Sequence, residues 1–107
     1  GMDIGELKKQ SDLSYDIAIA KRNALEKATS RMVVVYDEHI FCADPETINL
    51  VKNLMEVHTS SFYILDSNKN PVEISDPSKF LQVLVQRNQE AISSYHQMSK
   101  TFEKKND

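Results

Sequence analysis

Residues 32–45 read MVVVYDEHIFCADP, and the order of residue types in that stretch decides the fold. Met32-Val33-Val34-Val35-Tyr36 is an apolar, β-branched run of strand length. Asp37-Glu38 follows as a two-residue turn, weaker in turn chemistry than Asn-Gly, and His39 to Ala43 is the return strand. Asp44-Pro45 then opens a helix. The Asp carboxylate can accept backbone N–H groups that lack intrahelical partners, and Pro at the first helical position gives up an N–H that had none. Ile48, Val51, Leu54 and Met55 form the buried face of this short helix, which fades near His58.

The same grammar recurs further on. Phe62-Tyr63-Ile64-Leu65 is a strand, Asp66 to Asn70 a turn, and Pro71-Val72-Glu73-Ile74 a short return strand. Pro71 suits an edge position because it cannot donate to a ladder. Asp76-Pro77 opens the next helix as Asp44-Pro45 opens the first. Two readings stand: an internal repeat of 32–58 and 61–92, or chance recurrence of a common local order.

Long helices flank this middle. From Ile4 to Thr29 there is no Pro, and no Gly after Gly5. Leu13, Ile17, Ala20, Ala24 and Ala28 share one face, and Leu7, Ala18 and Leu25 widen it. Alanines allow close approach but bury little area, so this helix needs a partner. The C-terminal helix, Asp76 to about Lys104, carries Leu81, Leu84, Asn88, Ala91, Tyr95, Met98 and Phe102 at the alternating three-and-four spacing of a coiled-coil seam. Phe80, Val83, Val85 and Ile92 broaden its apolar face near the start. Asn88 sits in the seam, where a buried polar residue can fix register or partner number.

The expected fold class is therefore α+β, in the order α-ββ-α-ββ-α. A small antiparallel sheet is packed by a long N-terminal and a long C-terminal helix in a single domain, residues 2–107. Gly1 before Met2 reads as an expression scar. The long helices are expected to run antiparallel with the chain ends together. Tyr95, Met98 and Phe102 would then lie opposite the polar Lys8, Lys9, Gln10 and Ser11, leaving apolar surface for a second chain.

Composition narrows the function classes. Thirteen basic against sixteen acidic residues give a formal charge of −3, a poor start for binding a polyanion. Lys8, Lys9, Lys21, Arg22, Lys100, Lys104 and Lys105 are interleaved with Asp12, Asp16, Glu26 and Glu103, which reads as a solvated mixed surface, so nucleic acid is not the expected partner. No apolar run approaches the roughly 20 residues that cross a bilayer. The single cysteine and the lack of a signal peptide suggest a reducing, cytoplasmic setting.

With only Gly1 and Gly5 in the chain, the Gly-rich phosphate loops are excluded. His39, His58 and His96 have no metal-ligand spacing; His58 at a helix C-terminus reads as a dipole partner and carbonyl donor. Cys42 is expected buried and inert in its strand. No catalytic residue, metal site or cofactor is expected.

The order helix, two hairpins, helix is similar in outline to prefoldin-type chaperone subunits, in which coiled-coil arms flank β-hairpins. The stretches MVVVYDEHIFCADPETINLVKNL (32–54) and FLQVLVQRNQEAISSYHQMSKTFEKK (80–105) resemble small uncharacterised proteins of tailed phages of cyanobacteria. That resemblance implies an accessory or virion-assembly role rather than catalysis. The expected function is a non-enzymatic interaction or assembly module that self-associates through its C-terminal helix. The expected assembly is a homo-oligomer, a dimer first, with an interface of Asn88, Ala91, Tyr95, Met98 and Phe102. The alternative is a small-molecule binding or catalytic domain with a site on the sheet around His39, Cys42 and Tyr63.

Overall fold

The computed structural model describes residues 4–58 and 60–105. Its elements are α1 (Ile4–Ser30), β1 (Val33–Tyr36), β2 (His39–Cys42), α2 (Pro45–Val57), β3 (Phe62–Leu65), β4 (Pro71–Ile74) and α3 (Pro77–Lys105). This is the α-ββ-α-ββ-α order of the sequence reading, and the α+β class with it. Local chemistry accounts for the boundaries. Asp44 caps α2 by accepting from the Thr47 N–H at 2.8 Å, and Asp76 accepts from the Lys79 N–H at 3.2 Å. At the end of α1, Arg31 and Met32 donate to the carbonyls of Ala28 and Thr29, the tightened last turn that satisfies orphan acceptors. At the end of α2 it is the backbone N–H of His58, not its ring, that reaches a carbonyl, that of Leu54.

Both hairpins are antiparallel, with Tyr36 opposite His39 in the first and Leu65 opposite Pro71 in the second. They form two separate two-stranded ladders where one small sheet was expected. A hydrogen bond from the Ser67 N–H to the Ile40 carbonyl, 2.8 Å, joins the second turn to β2. The five-residue turn carries that donor outward, so β2 meets a loop rather than a strand.

Asp37 and Glu38 both have positive φ, 53° and 68°, as a tight hairpin turn of this length demands. Neither residue is at ease there; a residue with a Cβ loses roughly 1–2 kcal/mol in the left-handed region. Glu38→Gly should therefore raise stability by about 1 kcal/mol, read as a higher urea midpoint with an unchanged slope. No gain would mean that the Glu38 side chain holds the turn by some other contact.

Alternate residues of each strand enter one core. Val34 and Phe41 from the first hairpin, Phe62, Ile64, Val72 and Ile74 from the second, Val51 from α2, and Phe80, Leu84 and Ala91 from α3 are all buried there. The ring of Phe80 lies 4.9 Å from those of Tyr36 and Phe41, tilted against the first and edge-on to the second. Edge-to-face contacts of this kind add to the burial energy.

The molecule is long. Its extents are 67 × 23 × 22 Å and its radius of gyration is 19.9 Å, where a compact chain of this size has about 13 Å. The hairpins, α2 and the first half of α3 make a head, and α1 with the rest of α3 makes an arm. The Arg31 guanidinium donates to the Ser94 hydroxyl at 2.6 Å, which sets the end of α1 beside the middle of α3. Beyond it, α3 is half-buried at Tyr95, Met98 and Phe102, and α1 at Ile17, Ile19 and Ala20. These are the stripes that two antiparallel helices cover on each other.

The far ends of α1 and α3, at Ile4 and Lys105, do not meet, where the sequence suggested an antiparallel pair with its ends together. From Ser94 to Lys105 α3 runs about 17 Å, whereas α1 runs about 40 Å from Arg31 back to Ile4. Every described residue from Ile4 to Asp16 is exposed.

Candidate interaction surface

The structure divides the predicted interface residues into two groups. Asn88 and Ala91 are buried in the chain's own core. The Asn88 amide donates to the Ala43 carbonyl at 3.0 Å and accepts from the Gln89 amide at 3.0 Å. It thereby satisfies a buried carbonyl at the junction of β2 and α2. The polar residue in the seam thus serves intramolecular register. Asn88→Ala should cost about 2 kcal/mol, because it strands that carbonyl, while leaving the sedimentation coefficient unchanged. A change in oligomeric state on this substitution would restore Asn88 to an interface.

Tyr95, Met98 and Phe102 form the second group, on the arm. They do not face Lys8 to Ser11, as the sequence suggested. With Arg31 beside Ser94, the helical rise sets them against roughly residues 23–30 of α1 and leaves Lys8 to Ser11 past the end of α3. The mismatch therefore moves from α3 to α1. Ile4 is 85% exposed, Leu7 50%, Leu25 47% and Tyr15 68%, and Leu13, expected on the buried face of α1, is 42% exposed as well.

Leu7, Ala18 and Leu25 were expected to widen the buried face of α1 and are instead exposed. At about 100° per residue, they line up with one another and lie roughly 110° round the helix from Ala24 and its buried neighbours. Their mutual spacing of eleven and seven residues was the signal in the sequence for a separate stripe. On α3 the exposed apolar residues Val85 and Ile92 flank the buried seam in the same rotational sense.

The head holds the candidate chemistry. A cleft of about 490 Å³ is lined by residues that include Cys42, Asp44, Thr47, Leu50, Leu65 and Asp66. His39 and Tyr63 are not in its lining. Three residues apart on one strand, His39 and Cys42 point to opposite faces, and Tyr63 is exposed on the outer side of β3. The sheet therefore does not bring the three together.

Burial pushes the Cys42 thiol up, and the neighbouring Asp44 carboxylate, to which the thiol donates, pushes it further. A thiol held protonated is a poor nucleophile. Burial also opposes ionisation of Asp44, but hydrogen bonds from Thr47 and Cys42 prevail and lower it.

Asp66 had been read only as a turn residue, yet it is the buried anchor of its loop. One oxygen accepts from the Asn68 and Asn70 N–H groups, both at 2.9 Å, and the other from His39 Nδ1 at 3.0 Å. These bonds, that from Asn70 first, hold its carboxyl below the usual range against the opposing effect of burial.

Among the described residues no cluster of three or more His, Cys, Asp or Glu side chains could hold a metal ion, and no helix is long and apolar enough to cross a membrane. Comparison with protein-family models, curated proteins and solved structures returns no match.

Proposed function

We propose that the protein is a non-enzymatic interaction or assembly module that self-associates through its helical arm. The observation that carries the reading is the exposed half of α1, a stretch of about 20 Å with Ile4, Leu7 and Tyr15 facing solvent. Isolated helices of this length are marginal in water, so an arm of this kind gains most from a partner. An accessory or structural role in a larger assembly, the one implied by the resemblance to small phage proteins, fits this reading. The C-terminal helix contributes Tyr95, Met98 and Phe102 to the arm.

Light scattering on the purified protein tests the reading. A dimer or higher species at high micromolar concentration is expected, and a strict monomer there would sink it. Replacing Met98 and Phe102 together with Asp should weaken the arm while the strand signal of the head persists in circular dichroism. The competing reading, a small-molecule or catalytic site beside Cys42, draws on the cleft. It is the weaker, because the Cys42 thiol is held protonated and Asp66 is already committed to His39 and its own loop.

A further inference from the structure

We infer that the partner of the exposed half of α1 is the same segment of a second copy, paired antiparallel about a two-fold axis at Ser11; this rests on the self-association proposed above. Ile4, Leu7, Ser11, Ser14, Tyr15 and Ala18 fall within one third of the helix circumference at about 100° per residue, and all are exposed. None of them is charged. The stripe is large at its start and small at its middle and end, apart from Tyr15 at its margin. An antiparallel copy centred on Ser11 sets Ile4 against Ala18 of the other copy and Leu7 beside Ser14 and Tyr15. The small residues at Ser11 and Ser14 let the backbones approach. The pairing is self-complementary, as a two-fold interface requires.

Charge selects this register over its rivals. On the flank beside the stripe, Lys8 of one copy comes near Asp12 of the other, and the two-fold axis makes the contact twice. A register shifted to use all of α1, from Ile4 to Leu25, would set Lys8 against Arg22 of the other copy, twice over, and bring Arg22 into the stripe itself. Opposite charges across paired helices set partner orientation, and like charges exclude the alternative. The contact lies wholly on α1, so the head stays clear at each end of an extended dimer.

Disulfide trapping of the full chain tests the register. In a Cys42→Ala background, Ser11→Cys should oxidise to a covalent dimer on non-reducing gels, since residue 11 meets its own copy on the axis. Ser14→Cys should not, because it faces residue 8. Leu7→Asp should weaken the dimer at least roughly a hundredfold in analytical ultracentrifugation, because each substitution acts twice. A dimer that forms without the Ser11→Cys crosslink, or that survives Leu7→Asp, overturns this pairing and leaves self-association by the arm standing. A protein that remains monomeric overturns both.

Discussion

Phe80→Ala lowers the free energy of unfolding by about 3–5 kcal/mol, read from urea unfolding followed by circular dichroism. Phe80 is completely buried on the first turn of α3, and its ring joins those of Tyr36 and Phe41. Alanine there leaves a void that the two hairpin rings, held on opposite strands, can close only in part. Domains of this size have about 5–15 kcal/mol of stability in total, so the variant sits near its unfolding threshold. Phe80→Leu fills most of the space and should cost only about 1–2 kcal/mol. A loss under about 1 kcal/mol for the alanine variant would mean that the start of α3 does not close the core.

Asp66→Ala should lower the melting temperature by roughly ten degrees, although the residue is a carboxylate in a surface turn. It strands the Asn68 and Asn70 N–H groups and removes the partner of His39. The 66–70 loop also carries the Ser67 donor that reaches β2, so the junction between the two hairpins should loosen with it.

The same carboxylate makes stability depend on pH, with a definite sign. Its folded pKa is depressed, so the unfolded chain, near 3.9, binds protons first as the solution is acidified. The stabilisation is complete above about pH 4–5 and is lost as pH falls through the folded value. Asp44, also lowered, acts in the same direction. Thermal unfolding between pH 3 and 7 should therefore show a steeper acid decline for the wild type than for Asp66→Asn. Equal declines would assign the acid sensitivity to other groups.

Much of the architecture was legible because its signals are local. Asp44-Pro45 and Asp76-Pro77 mark helix starts through bonds to residues three positions on, and the strand runs alternate within four residues. Asn88 was legible as a buried polar residue in the seam, but not its partner, because the Ala43 carbonyl belongs to a distant part of the chain. Asp66 shows the same limit. Its role in the turn is local, whereas its burial and its bond to His39 depend on how the hairpins meet.

By itself, then, the sequence determined the identity, order and ends of the elements, and the class of fold they make. Only the tertiary structure decided which face of α1 is covered. Two apolar stripes, one through Leu13, Ile17, Ala20, Ala24 and Ala28 and one through Leu7, Ala18 and Leu25, obey the same helical period. Periodicity cannot rank them, because the choice depends on where α3 lands and how far it reaches. Arg31 meeting Ser94 fixes that landing point. The shorter run of α3 beyond it leaves the first turns of α1 without cover from α3, so the apolar surface expected on the end of α3 is found instead on the beginning of α1.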